Sequence, residues 1–448
     1  MNKITVPPVV FAVVNRDPRE LKPRPNNPRT HSKKQLRQTA ASISEFGFLS
    51  SVLIDANDMI IAGHARVEAA KLLGLQSVPT CEVTHLTEAQ VRAFVIADNK
   101  IALNAGWDPK LLTLELREIS IEANFDITIT GFSVPEIDNI FGTLESEHED
   151  DEIPAFDQSL PAVSRVGDLW HCGEHSIFCG DATKSDSYSR LLNGNTAQLV
   201  CIDPPYNVPV DGHVSGLGGN RHREFPMARG EMSRIQSTNF LKSSFSNLAA
   251  HSDDGALQYV FMDWRHMTEI LSAGEQAYSE FKNLCVWNKM RGGMGSLYRS
   301  QHELVFVFKS GKAPHTNNIE LGQHGRNRTN VWNCSGMSSF GKNRAAALAL
   351  HPTVKPNALI ADIILDASER GGIVLDVFGG SGTTLIAAHK CGRHGYIMEL
   401  DPLYVDTILR RFLRTYNIEA ILVETGQTFS EVASARRIHI SDAKAEND

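Results

Sequence analysis

The residues with the clearest chemical potential are Asp203-Pro-Pro-Tyr206, which come directly after a short apolar run. In a parallel α/β sheet, ligands bind beyond the carboxyl ends of the strands. Pro204 and Pro205 stiffen the loop, Asp203 supplies a hydrogen-bond acceptor, and Tyr206 supplies a flat ring that can stack on a base. An aromatic amino group is a poor nucleophile, and acceptors for its two hydrogens restore its reactivity. These four residues are therefore predicted to be catalytic, although a proline-rich turn capped by Asp203 fits them too.

A second loop, Asp376-Val-Phe-Gly-Gly-Ser-Gly-Thr-Thr384, follows another predicted strand. Its glycines let a ligand approach the backbone, and the helix that begins at Thr383 favours an anionic group at its N-terminus. Glu399 ends the next strand, about 20 residues further on, where an acid can bind ribose hydroxyls. The pair indicates an adenosine-containing cofactor. A glycine turn that packs a helix on the sheet is the alternative.

Together these segments resemble DNA amino-methyltransferases that use S-adenosylmethionine, over roughly residues 165–415. The resemblance also includes Gly180-Asp-Ala-Thr183, His351-Pro-Thr-Val-Lys-Pro356 and Glu399-Leu-Asp-Pro402. The catalytic motif precedes the cofactor loop, as in the permuted "beta" group. The resemblance implies a Rossmann-like α/β domain, base flipping and direct methyl transfer to N6 of adenine in DNA. Cytosine N4 is the alternative, because the first residue of the motif overlaps between the two classes.

The resemblance also assigns cofactor residues. It implies that Asp181 contacts the adenine end, that Glu399 holds the ribose, and that Asp376 lies near the methionine amino group. The remaining residues implied to bind S-adenosylmethionine are Thr353, Lys355, Phe378, Gly380, Gly382 and Thr383. No Pro-Cys dipeptide occurs, which argues against cytosine C5 chemistry with a Cys nucleophile.

Residues 209–350 separate the two motifs, as the target-recognition segment does in this family. They carry 16 Lys and Arg against 11 Asp and Glu, although the whole chain has a net charge of −8. Basic side chains can contact phosphates or bases. The predicted DNA-binding residues are Arg291, Arg299, Arg326, Arg328, Lys342 and Arg344. The segments Ser300-Gln-His-Glu303 and Asn330-Val-Trp-Asn333 also resemble the family, without an assigned chemistry.

The N-terminal part resembles the ParB-like nuclease and sulfiredoxin superfamily, from Asn27-Pro-Arg29 through Gly63-His-Ala-Arg66 to Asp98-Asn-Lys100. Only a glycine and an arginine remain of the nucleotide-binding motif of partition proteins. Gly63 and Arg66 at a helix start could still hold a phosphate, or serve as a turn glycine and a surface arginine. Residues 108–142 are short and poor in basic residues, so we expect no partition-type DNA-binding domain there.

The 448 residues therefore divide into a small ParB-like α+β domain (1–142), an acidic linker (143–160), a methyltransferase domain (161–425) and a polar tail (426–448). The cysteines are scattered and no apolar run is long enough for a membrane helix. We expect a cytoplasmic enzyme without a metal that acts on double-stranded DNA, and leave a homodimer open. Two other readings remain: a ParB-like segregation protein with an inert methyltransferase half, and methylation of RNA or of protein glutamine.

Overall fold

The computed structural model of the chain describes residues 12–122, 126–142, 161–207, 231–290, 292, 297–322, 326–334 and 355–436. The chain forms two compact units, Met1–Leu144 and Glu145–Asp448. The predicted linker, 143–160, lies outside the described residues. Within the described part, no helix has the length and apolar character needed to cross a membrane.

The first unit is a mixed α/β domain. Its described strands form one sheet in the order β1-β4-β2-β3: β1 (Val13–Arg16), β2 (Val52–Ile54), β3 (Ile60–Ala62) and β4 (Val78–Glu82). Its helices are α1 (Lys33–Phe46), α2 (His64–Leu72), α3 (Glu88–Ala102), α4 (Pro109–Glu122) and α5 (Val134–Gly142). α2 begins at His64, directly after Gly63.

Local sequence explains where these helices begin. The Ser32 side chain accepts the Gln35 N–H, and Thr87 forms a capping box with Gln90. A small core of Leu21, Val52, Ile54, Ile60, Val67, Ala70 and Val78 joins α2 to the sheet.

The second unit is built on a large twisted sheet. Among the described residues, the strand order is β11-β9-β10-β8-β7-β12-β13-β6-β5-β14. The ranges are β5 (Leu169–Cys172), β6 (His175–Cys179), β7 (Ala197–Ile202), β8 (Ser252–Met262), β9 (Glu280–Asn288), β10 (His302–Lys309), β11 (Val331–Asn333), β12 (Ile373–Asp376), β13 (His394–Glu399) and β14 (Ile421–Leu422). The five central strands β6, β13, β12, β7 and β8 are parallel to one another, and β10 runs antiparallel to β8 and β9.

Helices cover both faces of this sheet, which confirms the predicted Rossmann-like class. The helices are α6 (Ser185–Leu192), α7 (Arg234–Ala250), α8 (Met267–Ala277), α9 (Asn357–Ala367), α10 (Thr383–Lys390), α11 (Pro402–Tyr416) and α12 (Phe429–Ala435). Leu191, Phe245 and Ile270 from α6 to α8 pack in one core, and Ile360 and Ile363 of α9 pack in another. β5 and β6 pair as an antiparallel hairpin.

Two segments that the sequence analysis named for other roles contain elements of the main fold. Residues 252–309, inside the segment predicted for target recognition, supply three strands of the main sheet, because their apolar residues alternate into its two cores. The predicted polar tail contains α12, whose Phe429, Val432 and Ala433 are buried against α11 and β5. Residues 437–448 lie outside the described part of the chain.

Candidate active site

Four carboxylates stand side by side at one edge of the second sheet. Strands β6, β13, β12 and β7 are neighbours and parallel, so their carboxyl ends meet at the same edge. Asp181, Glu399, Asp376 and Asp203 lie at or just past these ends, in that order. The sequence placed each acid after a strand, and the fold brings all four together.

The loop after β7 forms a dense polar cluster. Lys355 Nζ lies 2.5 Å from Asp203 Oδ2 and 2.8 Å from Glu303 Oε1. The Tyr206 hydroxyl lies 2.6 Å from Asp203 Oδ1 and also hydrogen-bonds to Glu303 Oε1. Lys289 Nζ contacts the other oxygen, Glu303 Oε2, at 2.6 Å. The predicted catalytic acid is therefore held between a phenol and an ammonium group.

This cluster separates the proton affinities of its two carboxylates. Burial raises the pKa of Asp203, and the negative charge of Glu303 raises it further, against the opposing effect of Lys355. Burial alone would also raise the pKa of Glu303, but Lys355 and Lys289 outweigh it and lower that pKa to about 2. Glu303 therefore stays ionised, and Asp203 is the carboxylate whose protonation can change.

The glycine-rich loop between β12 and α10 is tied to Glu399 and Asp376. The backbone N–H of Gly380 donates to Glu399 Oε2 at 2.8 Å, and that of Asp401 donates to Oε1 at 2.9 Å. Asp376 accepts hydrogen bonds from the Thr384 hydroxyl at 2.6 Å and from the Phe378 N–H at 3.0 Å. Both carboxylates are thereby fixed beside the loop.

The backbone of this loop depends on glycine at two points. Gly380 and Gly382 have φ of 50° and 82°, in the left-handed region that side chains disfavour. Gly379 is also restricted, because a Cβ there would meet the Ile397 Cγ2 at 2.4 Å. Part of the loop thus packs α10 on the sheet, as the alternative interpretation of the sequence proposed.

Burial raises the pKa of the Asp376 carboxyl, and that of Glu399, to about 7 in each case. Backbone and hydroxyl donors oppose the rise without cancelling it. The edge of the sheet therefore holds two buried acceptors that lack a direct cationic partner among the described contacts. Such acceptors suit a ligand that carries positive charge and hydroxyl groups.

The other predicted cofactor residues occupy the same edge. Asp181 accepts hydrogen bonds from the N–H and hydroxyl of Thr183, both at 2.8 Å. Thr383 is buried at the start of α10, and Phe378 is partly buried near Phe240. Thr353 lies outside the described residues.

Lys355 differs from the prediction. It was expected near the methionine part of the cofactor, but its ammonium group binds Asp203 and Glu303 and only 7% of the residue is exposed. The sequence analysis assigned neither Glu303 nor Lys289 a role in catalysis. The sequence feature that could have pointed to Glu303 is the family-like segment Ser300-Gln-His-Glu303. Its role depends on β10 beginning at the catalytic edge of the sheet.

Two arginines that were predicted to contact DNA, Arg326 and Arg328, bind carboxylates within the chain. Arg326 contacts Asp366 at 2.7 Å and Asp362 at 3.1 Å, and Arg328 contacts the same two carboxylates at 2.9 and 2.5 Å. The side chains of Arg326 and Arg328 are only 9% and 18% exposed, so they fasten their loop to α9. Arg299 is exposed and donates to the Gly292 carbonyl. Arg291, Lys342 and Arg344 lie outside the described residues.

The first unit has a cavity of its own, of about 720 Å³. Gly63 begins α2 with φ of 106°, and one guanidinium nitrogen of Arg66 donates to the Ser51 carbonyl at 3.3 Å. The segments that carried the N-terminal resemblance meet here, since the lining includes Asn27, Arg29, Gly63, Arg66 and Asp98.

Comparison with protein families assigns both units. A DNA methylase model of the N6/N4 type matches residues 197–410 and a ParB N-terminal domain model matches residues 10–100. The chain contains a DNA methylase domain of the N6/N4 type. Its first unit is ParB-like, as predicted. Methylases of this type use S-adenosylmethionine, which confirms the cofactor class predicted from sequence.

Individual relatives match each half of this methylase. The Escherichia coli (strain K12) ParB-like nuclease domain-containing protein YnaK is 46% identical over 78 residues, which are 17% of this chain and 90% of YnaK. The Type II methyltransferase M.HpaI of Haemophilus parainfluenzae is 26% identical over 260 residues, or 54% of this chain and 76% of M.HpaI. The solved M1.HpyAVI–SAM complex is 19% identical, with a TM-score of 0.39, and the match covers 52% of this chain and 97% of that one.

One domain was missed by the sequence analysis. A model described as the ParB-methyltransferase HTH domain matches residues 110–166, which include α4 and α5. The expectation that residues 108–142 hold no such domain is therefore wrong. That expectation depended on the length and basic content of the segment. The buried side chains of Leu116, Ile127, Ile137 and Phe141 instead form a separate small helical core.

The residues of the methylase site fit S-adenosylmethionine. This cofactor carries a sulfonium and an ammonium group together with ribose hydroxyls. Asp376 and Glu399 offer buried carboxylates whose raised pKa values show that nearby positive charge does not offset their burial. A cationic ligand would favour their ionised forms.

Proposed function

We propose that this methylase transfers a methyl group from S-adenosylmethionine to the N6 amino group of adenine in double-stranded DNA, as a cytoplasmic enzyme. The observation that carries the proposal is the position of Asp203. It follows β7, directly beside β12, whose Asp376 and glycine-rich loop belong to the proposed cofactor pocket. Acceptor and cofactor residues thus share one edge of the sheet.

The residues of the chain have distinct roles in this reaction. Asp203 and a loop carbonyl would accept the two amino hydrogens of an everted base, and the Tyr206 ring would stack on that base. Asp376 would hold the cofactor's amino group and Glu399 its ribose. Bound S-adenosylmethionine supplies an activated methyl group, so the chain needs no covalent nucleophile. Asp203 takes up the proton that the amino nitrogen loses.

The choice of adenine rests on Asp as the first residue of Asp203-Pro-Pro-Tyr206, where Ser would favour cytosine N4. The test is incubation of the full chain with duplex DNA and methyl-labelled cofactor, followed by nucleoside analysis. Label is expected on N6-methyladenine. Label on N4-methylcytosine would overturn the base assignment while leaving the amino-methyltransferase chemistry in place.

Asp203→Ala tests the acceptor itself. Loss of an acid–base group typically costs about 10²- to 10⁴-fold in rate, so the variant should lose nearly all transfer. Asp186→Asn, an exposed acid in the first turn of α6, is the matched control and should keep wild-type activity. Competition among duplex DNA, RNA and protein substrates separates this proposal from the two other methylation readings.

A further inference from the structure

Glu303 is a buried carboxylate at the catalytic edge to which no motif assigns a role. It is the second residue of β10, and Leu304 pairs with Met262 at the end of β8. Because β10 runs antiparallel to β8, its first residues lie where the parallel strands end. Glu303 is 8% exposed and hydrogen-bonds to Tyr206 of the catalytic loop, which lies 97 positions earlier in the chain.

Both oxygens of Glu303 are engaged by donors of the cluster. Oε1 faces the Tyr206 hydroxyl and the Lys355 ammonium, and Oε2 faces the Lys289 ammonium. The first two donors are also the donors that contact Asp203. The two carboxylates therefore share one phenol and one ammonium group.

A phenol has a single hydrogen, so Tyr206 cannot donate to Asp203 and Glu303 at the same moment. Lys355 likewise divides its attraction between them. Glu303 stays ionised, so it attracts the shared donors more strongly than a protonated carboxyl would. Asp203 therefore keeps more of its capacity to accept hydrogens from a group outside the cluster.

The charged groups around Asp203 come from several elements. Lys355, just before α9, favours its ionised form, whereas Glu303 from β10 and Asp376 from β12 disfavour it. Two further titratable groups interact with Asp203: Tyr206, in the same loop, and Cys201, which comes just before the loop on β7. Lys289, at the end of β9, reaches Asp203 only through Glu303.

We infer that Glu303 is a positioning residue for methyl transfer, which competes with Asp203 for the Tyr206 hydroxyl and the Lys355 ammonium and so keeps Asp203 able to accept the substrate's amino hydrogens. The inference rests on the proposed function. As the nitrogen–carbon bond forms, the carbon–sulfur bond breaks with its electron pair left on sulfur. The surplus proton on nitrogen passes to Asp203 and then to water.

Glu303→Gln tests this role because it keeps the size of the side chain and removes its charge. The single-turnover methylation rate is expected to fall about tenfold or more, with the KM for DNA and cofactor little changed. Without the neighbouring negative charge the pKa of Asp203 falls, so the acid limb of the pH–rate profile should move down by about one unit. Glu280→Gln, an exposed acid at the far end of β9, is the matched control and should leave the limb unmoved.

Lys289→Gln provides the opposite shift and a second, independent readout. Its side chain is 37% exposed, so its loss spares the core. Without Lys289, the negative charge of Glu303 is less neutralised and raises the pKa of Asp203 further. The acid limb of the pH–rate profile should therefore move to higher pH. This variant decides the matter if Glu303→Gln does not fold.

The outcomes separate the two proposals. Suppose that the wild-type chain methylates DNA normally. If the acid limb then stays in place in both Glu303→Gln and Lys289→Gln, or moves in the same direction in both, only the role of Glu303 is overturned. A wild-type chain that transfers no methyl group to DNA overturns the proposed function and this inference together.

Discussion

The ammonium nitrogen of Lys355 lies 2.5 Å from Asp203 Oδ2, although the two residues are 152 positions apart in the chain. The contact joins the loop after β7 to the segment that leads into α9. It also couples the two halves of the site, because Lys355 binds Asp203 and Glu303 and its positive charge lowers the pKa of Asp376 against the effect of burial.

Lys355→Met should therefore impair both folding and chemistry. Removing one partner of a buried ion pair leaves an uncompensated charge and typically costs about 3–5 kcal/mol of stability. Loss of the cation also raises the pKa of Asp203, so the ionised acceptor needs a higher pH and the acid limb of the rate profile moves up. Thermal unfolding and single-turnover rates across pH measure the two effects.

Lys355→Arg keeps the charge and should recover much of the stability without restoring the full rate, since a planar guanidinium cannot reproduce the contacts of an ammonium group. Lys282→Met, which removes an exposed lysine at the far end of β9, is the control for the loss of a positive charge. An acid limb at the wild-type position in Lys355→Met would show that the ion pair does not control Asp203.

The sequence predicted the parts of this site that carry a local signal. Asp203, Asp376 and Glu399 each follow an apolar run, so their strands and their shared edge could be inferred from order alone. Glu303 and Lys289 could not, because their position depends on the antiparallel register of β9 and β10 against β8. The charges of Arg326 and Arg328 were visible in the sequence, but their carboxylate partners on α9 were not, because those contacts depend on the fold.

Cofactor affinity should depend on pH through Asp376 and Glu399. Burial raises the pKa of each carboxyl to about 7. A cationic ligand binds the ionised forms better, so the affinity for S-adenosylmethionine should weaken as the pH falls below about 7, and binding near that pH should release protons. Calorimetry in buffers of different ionisation enthalpy measures the proton release directly.

Glu399→Gln should weaken cofactor binding by roughly tenfold, as expected for the loss of a charged hydrogen-bond acceptor, and flatten the pH dependence. Glu369→Gln, an exposed acid just after α9, should change neither quantity. Affinity that is constant across this pH range would mean that the two carboxylates do not face the cofactor.

Arg326→Gln should destabilise the fold and leave DNA binding electrostatics unchanged. Its guanidinium lies 2.7 Å from the carboxylate of Asp366, which is 4% exposed. Breaking such a pair costs about 3 kcal/mol or more. Arg299→Gln is the contrasting variant: it should leave stability nearly unchanged and, if Arg299 binds a phosphate, reduce the salt slope of DNA affinity by about one. The reverse pattern would return Arg326 to the DNA surface.

Phe429→Ala should show that α12 belongs to the methylase domain. The Phe429 ring is 4% exposed and lies 5.6 Å from the Trp170 ring, in the same core as Val405 and Phe412 of α11. Truncation of a buried phenylalanine costs about 3–5 kcal/mol, which chemical denaturation would measure. Ser430→Ala, at the exposed next position, should change stability by less than about 0.5 kcal/mol. Equal stability of the two variants would support the solvated polar tail that the sequence predicted, because burial of an aromatic ring does not stabilise a solvated segment.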